Sequence, residues 1–152
     1  MKTFKPIKFT KKGLEDLKKE LEDIKAARPA AVMELKRARE MGDLSENGLY
    51  TAAKGRLRSM DSRIDRIDTM IKLAEVYESP KDHVGVGSKI VVEQNGKQIE
   101  YSIVGDFEAD PINHKISSKS PIGMALIGKK VNETAEIQTP KGTTILKVLK
   151  LK

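Results

Sequence analysis

The chain has no cysteine and no tryptophan, only two histidines, and three each of phenylalanine and tyrosine among 152 residues. Without cysteine there is no disulfide framework, no thiolate zinc site and no thiol nucleophile, which fits a reducing cytosol. His83 and His114 lie far apart in sequence, and isolated histidines usually serve as surface or hydrogen-bonded residues rather than metal ligands. The rings of Phe4, Phe9, Tyr50, Tyr77, Tyr101 and Phe107 are too few for a deep aromatic ligand pocket or an aromatic platform for single-stranded bases. No apolar run approaches the roughly 20 residues of a membrane-spanning helix, and the N-terminus lacks a signal peptide's apolar stretch. A cytoplasmic protein without a membrane partner is the expectation.

Charge is what the chain has in quantity. Charged residues make up 34%, hydrophobic residues 38%, and the net charge is +7 with a pI near 9.5. An anionic partner, such as nucleic acid or a large acidic assembly, suits that excess. No basic tail carries it, because residues 1–78 hold 18 Lys and Arg against 14 Asp and Glu, and residues 79–152 hold 11 against 8.

The first half reads as two helices. Thr10 is a suitable N-cap, and Leu14, Leu17, Leu21, Ile24, Ala31, Leu35 and Ala38 then recur at threes and fours, with Arg28 filling one place. A second series follows at Ala53, Leu57, Met60, Ile64, Ile67, Ile71 and Ala74. Two such stripes joined by a short turn cover each other as an antiparallel coiled-coil hairpin, with Leu35 and Ala38 meeting Ala53 and Leu57. Roughly 30 residues of helix make an arm of about 45 Å. Pro29, which removes a backbone hydrogen bond, predicts a kink or a break.

Between the stripes stands Gly42-Asp43-Leu44-Ser45-Glu46-Asn47. Gly42 suits the positive φ that closes a helix. Asp43 and Glu46 have the D-x-x-E spacing of a capping box, which would satisfy the free N–H groups of the second helix. The same two carboxylates also suit a shared Mg²⁺, an ion that binds through one or two carboxylates and takes its other ligands from water and phosphate. Both readings stand at this level. Two carboxylates without a further acid cluster, lysine or histidine do not make an autonomous nuclease. Lys36, Arg37, Arg39, Lys54, Arg56 and Arg58 form a basic collar behind the acids.

Helical periodicity ends near Tyr77, and residues 79–87, with Pro80, Gly85 and Gly87, read as a linker between a hairpin over 1–78 and a second domain over 88–152. Asn95-Gly96 between two β-rich runs is a type I′ hairpin signal, and Ile99, Tyr101 and Ile103 alternate as one buried face. A short strand is expected at 115–118, a brief helix at 121–127 capped by Ser120, and a further hairpin around Pro140-Lys141-Gly142. The fold class is therefore α+β.

GDLSEN, followed by Tyr50, Ala52, Ala53 and Lys54 and preceded by Arg37-Ala38-Arg39, resembles the tip of the bacterial transcript cleavage factors GreA and GreB. The resemblance extends through Arg28-Pro29, ISSKSPIGMALIGKKV at Ile116–Val131 and EIQTPKG at Glu136–Gly142, in the family's order. It implies an FKBP-like C-terminal domain that docks on RNA polymerase, and a hairpin that enters the polymerase's secondary channel. It implies that Asp43 and Glu46 assist the polymerase's own active site by sharing a Mg²⁺ ion while it cleaves the 3′ end of backtracked nascent RNA. The factor itself is then not an enzyme. Asn47 and Tyr50 become supporting tip residues, and Arg37, Arg39, Lys54, Arg56 and Arg58 become RNA contacts. DNA binding is expected with the transcription complex. Many GreA proteins carry a further acid where this chain has Leu49. The alternatives are a Gre-like inhibitor that occupies the channel without cleavage, and a coiled-coil scaffold whose acids only cap a helix.

Overall fold

The structure is a computed structural model that describes residues 4–43 and 47–152. The chain divides into two compact units, Glu15–Leu73 and the residues up to Leu14 together with Ala74–Lys152.

The unit over Glu15–Leu73 consists of α1 (Lys11–Glu40), from Glu15 onward, and α2 (Gly48–Lys72). Leu17, Ala31 and Ala38 of α1 and Ile67 and Met70 of α2 are buried, while Leu21, Ile24, Leu35, Leu57 and Ile64 are half-buried. A two-helix seam has solvent on both flanks, so most of its residues keep one edge wet. Among the described residues, four cross-helix ion pairs follow the antiparallel register: Arg56 with Glu34 near the connection, Arg28 with Asp61 midway, and Lys25–Asp68 and Arg63–Glu20 further back. The Arg28 guanidinium donates to both Asp61 oxygens, at 2.6 and 3.1 Å. That hydrogen bonding holds Asp61 below the usual carboxylate range and raises Arg28.

Of the kink or break expected at Pro29, the break does not occur. α1 runs unbroken from Lys11 to Glu40 with Pro29 inside it. Pro29 and Lys25, whose carbonyl loses its helical partner, are both exposed, so water can satisfy the orphaned oxygen. Gly42 does take φ +128°, beyond the end of α1.

The other unit opens with β1 (Ile7–Phe9), which pairs in parallel with β2 (Ala74–Val76). Helical periodicity near Tyr77 overran the helix, because α2 ends at Lys72 and residues 74–76 are strand. Thr10 caps α1 through the Gly13 N–H, at 3.0 Å. Its own N–H and hydroxyl are held by the Glu108 carboxylate, which sits where a side chain on Gly13 would stand.

The main sheet has the order β5-β4-β3-β7-β6, from β3 (Lys89–Gln94), β4 (Lys97–Val104), β5 (Lys115–Ser117), β6 (Thr134–Thr139) and β7 (Gly142–Leu151). All pairings are antiparallel except β4 with β5. Asn95 and Gly96 turn β3 into β4 with φ +51° and +76°, as the type I′ signal requires. One face is covered by α3 (Pro121–Leu126), whose Ser120 hydroxyl caps the Gly123 N–H at 3.1 Å. A Cβ on Gly123 would stand 2.0 Å from the Ser117 carbonyl oxygen, so only glycine lets α3 lie this close to β5.

Val84, Ile90, Val92, Ile103, Leu126, Ala135, Ile137, Leu146 and Val148 form the core. Val84 lies within the stretch 79–87 that reads as a linker. It is fully buried, and its backbone exchanges hydrogen bonds with Lys129 and Gly128. The proline and glycines there mark irregular backbone, but the segment belongs to the packed unit. The result is the expected α+β, FKBP-like arrangement of one curled sheet and one short helix.

Candidate functional site

The connection between α1 and α2 places the acidic motif. Asp43 is exposed and lies outside both helices. Leu44, Ser45 and Glu46 lie outside the described residues, and with them the geometry of the Asp43–Glu46 pair. The N-cap of α2 is Asn47, whose side-chain oxygen accepts from the Tyr50 N–H at 3.1 Å. The Asn47 amide also donates to the Ala38 carbonyl at 2.7 Å. One amide therefore satisfies a free donor at the start of α2 and adds a second, shorter bond to the Ala38 carbonyl, which also accepts from the Met41 N–H at 3.3 Å. The N-cap of α2 is thus Asn47, and the expected Asp43–Glu46 capping box lies partly outside the described residues.

Tyr50 stands one turn into α2, half-buried, with the Arg39 guanidinium 5.8 Å and the Lys54 ammonium 5.9 Å from its ring centroid. These distances are within cation–π range. Neither cation has a carboxylate partner among the described residues. Arg56 is different: one of its nitrogens lies 3.0 and 3.1 Å from the two Glu34 oxygens. Arg37 and Arg58 are exposed and unpartnered among the described residues. Of the basic residues singled out from the sequence, Arg39 and Lys54 thus converge on Tyr50, Arg56 is committed to an ion pair, and Arg37 and Arg58 face solvent.

Sequence reasoning missed Met41. It is 67% exposed, Leu49 across the connection is 60% exposed, and the two line an open cleft of about 340 Å³ together with Ala38, Ala52 and Ala53. Arg37 and the Glu34–Arg56 pair form its polar edge. The available signal was a methionine just past the end of one helix and a leucine in the first turn of the next, with alanines at 38, 52 and 53.

Among the described residues no three His, Asp or Glu side chains cluster as a metal site. No helix among them is long and apolar enough to cross a membrane.

A helical arm with an exposed acid at its turn, followed by a small sheet unit, defines a class that family comparison identifies directly. Residues 7–76 match the family described as transcription elongation factor, N-terminal, and residues 79–152 match transcription elongation factor, GreA/GreB, C-term. The chain belongs to the GreA/GreB family of transcription elongation factors. It is 43% identical to transcription elongation factor GreA of Caldanaerobacter subterraneus subsp. tengcongensis, over 97% of this chain and 98% of that protein. It is 45% identical to the Mycoplasma mycoides GreA, over 88% and 90%. Among solved structures, GreA factor homolog 1 of Thermus thermophilus is 28% identical, covering 97% of this chain and 99% of that one, with a TM-score of 0.46.

Proposed function

We propose that this elongation factor passes its helical arm through the secondary channel of bacterial RNA polymerase, in the cytoplasm, and stimulates the polymerase's own cleavage of backtracked RNA. Asp43 and Glu46 are the assisting acids, and the sheet unit docks on the channel rim. The observation that carries this reading is membership of the GreA/GreB family together with an exposed Asp43 at the connection between the two helices. Both family models match in chain order, over residues 7–76 and 79–152, which favours this reading over a coiled-coil scaffold.

The donor set fits a shared Mg²⁺. Asp43 offers hard carboxylate oxygen at an exposed position, and Glu46 is a second carboxylate three positions on. Such a pair is incomplete alone and suits an ion whose other ligands come from the polymerase and from RNA phosphate. When bound there, the ion would stabilise charge on the attacking and leaving oxygens of phosphodiester hydrolysis. Arg39 and Lys54, held against Tyr50, and the open Arg37 and Arg58 supply positive charge for RNA phosphates, a contact without sequence preference that weakens with salt. Asn47 and Tyr50 keep the connection in place.

The test is RNA length in stalled, backtracked bacterial elongation complexes with Mg²⁺, comparing the wild type with Asp43→Ala and Glu46→Ala. Shortened transcripts with the wild type alone are expected. Binding to polymerase without shortening by the wild type would refute cleavage and leave channel occupation, and no binding at all would return the scaffold.

A further inference from the structure

The core-bearing face of the main sheet continues past the end of the core. Val92, Ile99, Ile137 and Leu146 share that face by register, and further along it stand Gln94, Lys97, Thr139 and Thr144. Gln94, Thr139 and Thr144, together with Asn95 and Lys141 from the two adjacent turns, line an open cleft of about 600 Å³. The first three are half-buried, and Asn95 and Lys141 are exposed. The Thr139 hydroxyl is spent on the Gly142 carbonyl, to which it donates at 2.6 Å. Gln94, Asn95, Lys141 and Thr144 have no side-chain hydrogen bond or ion pair among the described residues. The cleft is also free of negative charge. No acid stands between Glu93 and Glu100 or in residues 137–152, and Glu93, Glu100 and Glu136 project from the opposite face of the sheet.

We propose that this cleft binds a small phosphorylated polyol, with the phosphate held by Lys141 and the hydroxyl groups by Gln94, Asn95 and Thr144. The site stands whether or not Asp43 assists cleavage, because it lies wholly within the sheet unit and uses none of the connection between α1 and α2. Charge selects the anion. Lys141 is an unpaired ammonium in the lining, Lys97 stands opposite Gln94, and no carboxylate on that face competes for either. The uncharged groups select the carrier. A carboxamide both donates and accepts, as does a hydroxyl, and sugar hydroxyls need partners of both kinds. Size points the same way, since the cleft lies in the range of small-molecule sites and a bare phosphate would leave most of it empty. With no aromatic ring in the lining there is nothing to stack a nucleobase, so the sugar phosphate is the part that is recognised. Binding would also give a partner to the half-buried Gln94 amide, whose withdrawal from water is otherwise uncompensated.

The experiment titrates the intact chain with ribose 5-phosphate, ribose and inorganic phosphate and follows backbone amide chemical shifts. The expected result is saturable shifts confined to the segments 94–97 and 139–144, with ribose 5-phosphate binding about tenfold more tightly than either of its parts. Lys141→Gln should weaken that binding about tenfold, the loss of one charge-assisted hydrogen bond. Thr144→Val, which keeps the shape of the side chain, should weaken it about fivefold. Lys150→Gln serves as the control for general attraction, because Lys150 pairs with Val91 on the opposite face, and it should leave binding unchanged. Circular dichroism verifies that each variant is folded. No binding of ribose 5-phosphate, or shifts spread over lysines elsewhere, overturns the proposal. So does an equal loss in Lys150→Gln and Lys141→Gln. Ribose binding as tightly as ribose 5-phosphate overturns the anion assignment, and inorganic phosphate binding as tightly overturns the hydroxylated carrier.

Discussion

Replacing Asn47 separates two bonds that one side chain makes. The Asn47 oxygen accepts from the Tyr50 N–H at 3.1 Å, and its amide donates to the Ala38 carbonyl at 2.7 Å. Losing an N-cap of this type costs about 1 kcal/mol, and losing an ordinary hydrogen bond costs about 1 kcal/mol more. Asn47→Ala should therefore destabilise the helical arm by about 2 kcal/mol. Asn47→Ser keeps a capping oxygen but is too short to reach Ala38, so it should cost about half as much. In a domain of 60–100 residues each kcal/mol moves Tm by about 4–8 °C. Thermal unfolding followed by far-UV circular dichroism, which is dominated by α1 and α2, should give three separated midpoints: wild type, serine, alanine. A serine variant as unstable as alanine would show that the cap contributes nothing. One as stable as wild type would show the same of the bridge to Ala38, and either outcome refutes the two-bond reading.

Other outcomes follow from close contacts. Gly13→Ala should destabilise by about 1 kcal/mol in urea unfolding, because its Cβ would displace the Glu108 carboxylate from Thr10 and so outweigh the gain in helix propensity. In a Glu108→Ala background the same change should instead stabilise by about 1 kcal/mol, and destabilisation there would exclude the clash. Gly123→Ala should cost about 2 kcal/mol or more, since the obstacle at 2.0 Å is the Ser117 backbone and not a movable side chain. Acid should weaken the arm through Asp61. Its hydrogen bond from Arg28 lowers the folded-state pKa, so the stabilisation is complete above the ordinary carboxylate value of about 4 and is lost as pH falls through the depressed value. Asp61→Asn should flatten that part of the stability–pH curve, and an unchanged slope would assign it to other carboxylates.

The heptad stripes were legible because a two-helix seam imposes one spacing over many turns. Leu17, Ala31, Ala38 and Ile67 lie buried where the periodicity puts them, and the Asn95-Gly96 turn follows from the two positive φ angles that only a few residues accept. What escaped was decided at a distance. Ile7–Phe9 and Ala74–Val76 are three residues each, too short to show an alternation, and their pairing partner lies at the far end of the arm's sequence. Val84 sits among turn residues, and its burial depends on Lys129 and Gly128 coming across to meet it. At the connection, Asp43, Ser45 and Asn47 are all acceptable cap residues, and only the point where the helix begins selects Asn47. The cleft between Met41 and Leu49 needed the two helices side by side before it existed.

The parallel pairing of β1 with β2 carries a consequence for how the chain acquires its structure. Parallel strands cannot be joined by a tight turn and require a crossover, and here residues 10–73 serve as that crossover. Closing so long a loop from a disordered chain is entropically slow. Pairing of α1 with α2 shortens that loop, because the ends of the two helices lead directly into β1 and β2, where Phe9 pairs with Val76. A hairpin that forms first would thereby shorten the loop that β1 and β2 must close. Lengthening both helices by matched heptads would keep the same pairing of β1 with β2.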